Sequence, residues 1–493
     1  MSEISRQSFK SSIYSYLGTI IGFITVGYIF PRYLLPEEIG VIKLIRDYAN
    51  IAGYLVAFGA GTTIIRFFPQ FQNEKNGHNG LLTTSMSLAI IGLIVFSILF
   101  ILGQEWLIER NQEKSPLFSE YLNLIYPTTI ALTLFIIFDA FYIAIKRSTT
   151  GIFLRDFFQR SLILLLILVY LVYQFKIGLL IYLYFGILWL VSLIYLIRIY
   201  STNRLYFKQR FSFLNKKLVY SMSSVGAFSI LNQLGANLAQ RLDIIMINEF
   251  IGEAMVGIYA TLFYYSSLIR IPTININRAV SSHISQSVHD ADSNKLSELN
   301  KKTALNQFLI GVVLFCGIWI NRSFVFHILP DSYIIGEYVL LYAGLAEVLR
   351  TLTGSTNTIL AYSKYYRHNF LFMIGYAMII VVFNYFLIPL YGLSGAAMAT
   401  ALSALVLHIS KTSYVYIRLK MNPLSLPMLW IALIAIVAFG IASMFQINNV
   451  YIDFLCRSTI FLGLFALPVL YFKISPDLNY FILNNWNKLK RKL

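Results

Sequence analysis

The chain has 493 residues, of which 58% are hydrophobic and 12% charged, about half the charged share of a soluble domain. Yet its net charge is +17, from 39 Lys and Arg against 22 Asp and Glu, and its mean hydropathy is +0.68. A soluble core, a disordered chain, a collagen-like fibre and, with only 2 Cys, a disulfide scaffold are excluded, which leaves a polytopic membrane protein.

The stretch MSEISRQSFKSS carries Arg6 and Lys10 ahead of a long apolar run. No small-residue cleavage motif follows, and the run is too long for a signal-peptide core, so it reads as a retained first helix rather than a removed leader. A helical crossing needs about 20 apolar residues, and about fourteen such runs occur along the chain. They lie near 12–34, 39–65, 80–103, 121–145, 156–174, 178–198, 219–247, 254–278, 303–321, 334–361, 369–389, 393–416, 427–446 and 450–472. The run at 254–278 is the least clean, because Arg270, Pro272 and Arg278 crowd its end. Membrane strands would be about 10 residues long and alternate in polarity. These runs are longer and apolar all round, so the expected fold class is an all-α integral membrane protein.

An even number of spans puts both termini on one side. With basic residues at span ends counted in their connectors, 29 of the 39 fall on the side of the termini and 5 on the other. The remaining five, Lys43, Arg46, Arg241, Arg350 and Arg457, lie within spans. The positive-inside rule therefore predicts cytoplasmic termini. The richest basic connector is Arg198–Lys217. Its interleaved Arg, Lys, Tyr and Phe have a nucleic-acid flavour, but nothing else resembles a nucleic-acid module. We read it as an amphipathic segment against anionic lipid headgroups, with no nucleic-acid partner.

Outer connectors are short, the longest running from about Gln104 to Glu120, so no extramembrane domain of folding size is expected. Leu17-Gly18 recurs as Leu234-Gly235, and Gly40 recurs as Gly257 at the same offset of 217 residues. Each of the latter two glycines follows a short acidic outer turn. Such an echo suggests parallel repeats about an axis along the membrane normal. The expected division is a bundle of helices 1–6 over 1–200, a basic cytoplasmic linker over 201–218 and helices 7–12 over 219–420. Helices 13 and 14 with a basic tail occupy 421–493. Two six-helix bundles would then face a central cavity, with two helices appended.

No catalytic constellation is present. There is no phosphate loop, HExxH or CxxC motif, the six His are scattered, and Cys316 and Cys456 lie alone in apolar helices. Neither metal nor cofactor is expected, and a non-enzymatic transporter fits better than an enzyme. Polar groups inside the spans are more informative, since each is costly unless paired or facing a cavity. Helix 2 carries Lys43, Arg46 and Asp47, helix 4 Asp139, and helix 10 Glu347 and Arg350. Helix 7 carries Asn232, Gln233, Asn237, Gln240, Arg241 and Asp243, of which Gln233, Asn237, Gln240 and Arg241 fall on one helical stripe. Individually these can be internal ion pairs or amide fasteners, and Lys43 and Arg66 can snorkel. Together they predict a polar cavity. Guanidinium groups grip phosphate oxygens, while amides and aromatic rings meet sugars. The expected substrate-binding residues are therefore Arg46, Arg241, Arg350, Gln233, Asn237 and Gln240. Asp139 and Asp47 are ion-coupling candidates, and Pro272, Gly226 and Gly235 are hinge candidates.

Four stretches, in order, resemble bacterial O-antigen and capsular polysaccharide flippases. They are YLGTIIGFITVGYIFPRYLLPEEIGVIKLI, FGAGTTIIRFFPQF, LGANLAQRLDIIMINEFIGEAMVGIYA and IPLYGLSGAAMATALSALV. The resemblance implies the superfamily that also holds multidrug/cation antiporters and the lipid II flippase. It implies an undecaprenyl-diphosphate-linked oligosaccharide as substrate, moved from the cytoplasmic to the periplasmic leaflet of the inner membrane by alternating access. Polysaccharide polymerase machinery would be a partner. The competing readings are a multidrug or cation antiporter, a membrane glycan polymerase, and a non-transporting scaffold.

Overall fold

The computed structural model describes residues 3–73, 78–201, 215–238 and 240–480. Residues 202–214, the greater part of the basic connector and of the expected linker, lie outside the described residues. The described residues form helices and turns, with no strand among them. The chain divides into two compact units, 1–260 and 261–493.

In the first unit, α1 (Glu3–Gly22) runs on through a π-helical segment at Phe23–Ile29. Then follow α2 (Pro36–Val56), α3 (Ala60–Phe71), α4 (Leu81–Asn111) and α5 (Ile125–Ala144). A second π-helical segment, Phe153–Phe158, leads into α6 (Gln159–Tyr173), and α7 is Ile177–Ser201. Next come α8 (Lys216–Leu238), α9 (Leu242–Ile251) and α10 (Glu253–Ser267), whose last residues belong to the second unit. The second unit continues with α11 (Arg270–His289), α12 (Ser293–Ile320), α13 (Glu337–Thr351), α14 (Tyr366–Leu419), α15 (Leu426–Met444) and α16 (Val450–Tyr471).

Ten helical stretches among the described residues are long and apolar enough to cross a membrane, eleven with the bent pair α10 and α11. The count of fourteen is not confirmed, for three physical reasons. The span expected at 156–174 is split between a π-helical segment and the 15-residue α6. The span at 219–247 is interrupted between α8 and α9. Those at 369–389 and 393–416 merge into α14 across a kink at Gly392, with φ 56° and ψ −132°. An unbroken helix of that length would be on the order of 80 Å long, far beyond the hydrocarbon thickness. A backbone conformation that favours glycine is what lets the chain break there.

Why these helices need lipid is plain from their outer faces. Ile90, Ile98 and Leu102 of α4 are 56%, 54% and 75% exposed, a waste of apolar surface in water. Inward faces build separate cores. In the first unit Phe68, Phe71, Phe138, Phe141 and Tyr195 pack together. In the second, Phe308 and Val312 of α12 pack with Ile431 and Ala435 of α15 and Phe461 and Phe465 of α16.

The echoed glycines meet each other. A Cβ added at Gly40 would fall on the carbonyl of Glu253, and one at Gly257 on the carbonyl of Pro36. Residues 36 and 253, like 40 and 257, are 217 apart, so the contact is reciprocal, as at a two-fold axis. Both helices begin at this crossing. Pro36 occupies the first position of α2, where no backbone donor is needed, and Glu38 accepts from the Leu35 amide at 2.8 Å.

Candidate functional site

A cavity of about 280 Å³ lies in the first unit. Arg46, Asn50 and Tyr54 line it from α2, at a spacing of four that puts them on one helical face. Thr62 of α3, Asp139 of α5, Arg155 of the second π-helical segment, Gln159 of α6, Ser192 of α7 and Gln233 of α8 complete its polar wall. The remainder is apolar, with Leu132, Phe135 and Ile136 among the lining residues.

Several of these polar groups are held in place. An Arg46 guanidinium nitrogen donates to the Tyr184 hydroxyl at 3.1 Å. Arg155 pairs with Asp156 at 3.0 Å. The Tyr195 hydroxyl donates to Asp139 Oδ1 at 2.8 Å, and Gly151 lies so close that a Cβ there would strike the same oxygen. The wall therefore combines two guanidiniums, one positioned carboxylate, and amides and hydroxyls. That set can bind an anionic, hydroxyl-rich molecule.

Beside the cavity, Asp47 is only 2% exposed and carries two cations: Lys43 at 2.6 Å and Arg241 at 3.0 Å. Arg241 also donates to Asn237 Oδ1 at 3.1 Å, and Asn237 donates to the Gln233 carbonyl at 2.8 Å. Gln233 in turn donates to the Ser229 hydroxyl at 3.2 Å. The stripe expected on one continuous helix is thus interrupted. α8 stops at Leu238, and the Gln240 and Arg241 amides close a tight turn on the Asn237 and Leu238 carbonyls. Asn237, bonding back to the backbone one turn earlier, weakens the helix at that point. Gln240 is exposed in the turn.

Arg350 lies in the second unit, where it pairs with Glu347 at 3.2 Å; Arg270 stands 4.0 Å from the same carboxylate. Among the hinge candidates, Pro272 sits just past a 49° bend between α10 and α11. Its missing N–H falls in the first helical turn, where none is required. Gly226 lies within continuous α8, and Gly59 packs against its backbone. Gly235 is buried in the same helix.

Sequence reasoning passed over Arg155, Gln159, Tyr184 and Tyr195 in the first unit. Arg155 reads as a connector charge, and the available signal was its fixed position beside Asp156 at a span end. In the second unit it passed over Lys411, counted with the connector that holds Arg418 and Lys420 although it sits inside the run 393–416. No group of three or more His, Cys, Asp or Glu is arranged to hold a metal among the described residues.

A family profile described as polysaccharide biosynthesis protein matches residues 5–282, more than half of the chain. The chain belongs to the polysaccharide biosynthesis protein family. Its fold is shared with solved membrane proteins. A solved structure of the lipid II flippase MurJ in an inward closed conformation superimposes with a TM-score of 0.73 at 12% identity, covering 93% of this chain and 98% of that one. An inward-facing multidrug resistance MATE family transporter of the MOP superfamily gives 0.63 at 15% identity, with coverages of 83% and 98%. A MOP superfamily transporter from Pyrococcus furiosus gives 0.50 at 16% identity, with coverages of 85% and 93%. No curated protein matches the chain. This member of the polysaccharide biosynthesis family is therefore a multi-pass helical membrane protein with a flippase- and transporter-type fold.

Proposed function

We propose that the chain flips an oligosaccharide repeat unit carried on undecaprenyl diphosphate from the cytoplasmic to the periplasmic leaflet of a bacterial inner membrane. It does so by alternating access, in the synthesis of O-antigen or capsule, and hands its cargo to polysaccharide polymerase machinery. The observation that carries this reading is the cavity of the first unit, where Arg46 and Arg155 face a wall of Asn50, Gln159, Gln233 and Ser192. Guanidiniums suit the diphosphate or acidic sugars, and amides and hydroxyls suit the glycan. Family membership over residues 5–282 supports the polysaccharide context.

In this reading Arg46, Arg241, Arg350, Gln233, Asn237 and Gln240 meet substrate, Asp139 or Asp47 couples an ion, and Pro272, Gly226 and Gly235 let helices bend. Both termini are cytoplasmic, as the basic-residue asymmetry favours. The chain acts as a transporter and not as an enzyme. A second reading, a multidrug or cation antiporter, is favoured by one feature, the carboxylate of Asp139 in the cavity wall.

Complementation decides between them. In a strain lacking its own polysaccharide flippase, the chain restores surface glycan, whereas Arg46→Ala and Arg241→Ala insert normally but restore less. Drug resistance without surface glycan, across several donor sugars, would favour the antiporter.

A further inference from the structure

Lys411 of α14 is 1% exposed. Its ammonium donates to Asn357 Oδ1 at 2.7 Å and stands 6.0 Å from the centre of the Phe372 ring. No carboxylate lies within ion-pair distance of it among the described residues. The charged and titratable groups that face it are Arg350 of α13 and His408, one turn earlier on α14. Arg350 shares Glu347 with Arg270. His408 Nδ1 lies 3.4 Å from the Thr353 hydroxyl. Beyond Phe372, the Tyr414 ring packs with Tyr365 and His368. Glu347 is thus engaged by Arg270 and Arg350, and among the described residues neither Lys411 nor His408 has a carboxylate partner.

The partners of Lys411 and His408 flank a broken helix. α13 ends at Thr351, and the chain turns through Gly354, with φ 53°, before a short helix begins at Thr356. Asn300 of α12 bridges the break, accepting from the Ser355 amide at 3.1 Å and donating to the Thr356 hydroxyl at 3.2 Å. Interrupted helices are where membrane transporters bind coupling ions.

We propose that Lys411 is a proton-carrying site of the second unit, binding and releasing a proton in each transport cycle against Asn357 and the broken helix. The inference rests on the transporter reading above. An ammonium this deeply buried is costly without a counter-charge, and no carboxylate among the described residues pairs with it. An amide oxygen accepts a hydrogen bond from NH₃⁺ and from NH₂ alike, so the contact with Asn357 survives both forms. A proton also needs no space, whereas a phosphate or carboxylate would have to displace Asn357 to reach the nitrogen. The step balances without a co-reactant. The ammonium gives one proton to water on one side of the membrane and keeps its electron pair, and the neutral amine takes one proton from the other side.

The test uses the full chain in proteoliposomes holding the pH dye pyranine, with fluorescently labelled undecaprenyl diphosphate as the probe and dithionite quenching to read its movement. The wild type moves the lipid faster under an imposed pH gradient than without one, and adding lipid moves protons. Lys411→Met, neutral, and Lys411→Arg, permanently charged, retain gradient-independent lipid movement but lose both the acceleration and the proton signal. Variants that melt like the wild type yet keep the acceleration overturn the proposal. So does a wild type that moves lipid with no proton signal and no response to the gradient, a result that needs no variant and leaves the flippase reading standing. A wild type that moves no lipid in either condition overturns the transporter reading and this inference with it.

Discussion

Adding a single methyl group at Gly40 or Gly257 tests the crossing of α2 and α10. At either position a Cβ falls within 3.0 Å of a backbone carbonyl of the other helix, where ordinary contact begins at 3.4 Å. The obstructing atoms are backbone, so no side-chain rotation relieves the clash and the helices must separate. Overpacking of this kind costs 1–3 kcal/mol, and about 2 kcal/mol is expected for each of Gly40→Ala and Gly257→Ala. One separation accommodates both methyl groups, because the contact is reciprocal. The double variant should therefore cost about 2–3 kcal/mol rather than the sum of the two. Thermal unfolding of the four proteins in one detergent measures this, with both single variants melting several degrees low and the double variant little lower. Strict additivity, or single variants that melt like the wild type, would show that the crossing is not the tight reciprocal contact described.

Tyr195→Phe leaves half-buried Asp139 without the hydroxyl that donates at 2.8 Å, and should cost about 0.5–1.5 kcal/mol by thermal unfolding; an unchanged midpoint would mean that Asp139 has another partner. Glu347→Gln removes the carboxylate shared by Arg270 and Arg350. Those side chains are 28% and 35% exposed, so the cost should be about 1–3 kcal/mol, below that of breaking a dry pair. Adding Arg270→Gln should recover part of the loss, and a further fall in melting temperature would contradict the sharing. Asn50→Trp fills the cavity of the first unit. It should abolish glycan export in cells while membrane abundance, read by immunoblot, stays normal; undiminished export would remove the cavity from the transport path.

The helical membrane class was legible because apolar runs of spanning length dominate the chain, and the family because four stretches keep their order. Breaks in helices were not legible, since the polar residues from Asn232 to Asp243 read equally well as a stripe on one continuous helix. Where α8 ends, Asn237 bonds back to the Gln233 carbonyl and Arg241 reaches Asp47, contacts that hydropathy does not register. The same limit explains Arg155 and Lys411. Both lie near span ends, where a basic residue normally reaches for headgroups, but a π-helical segment turns one to the cavity and the packing of α13 and α14 encloses the other. The repeat of Gly40 and Gly257 was visible as an echo. Only the structure shows that the two glycines touch.

The central claim is that the chain carries a glycan-bearing lipid diphosphate across the bilayer, and translocation by the purified protein tests it most directly. Lipid-linked repeat units, radiolabelled in the sugar, are placed in both leaflets of proteoliposomes. The fraction open to an impermeant glycosidase is then followed in time. With the chain present the whole pool should become accessible, with Arg46→Ala distinctly slower at equal reconstitution. A digestion plateau at the outer-leaflet fraction, the same as in protein-free vesicles, would contradict the account.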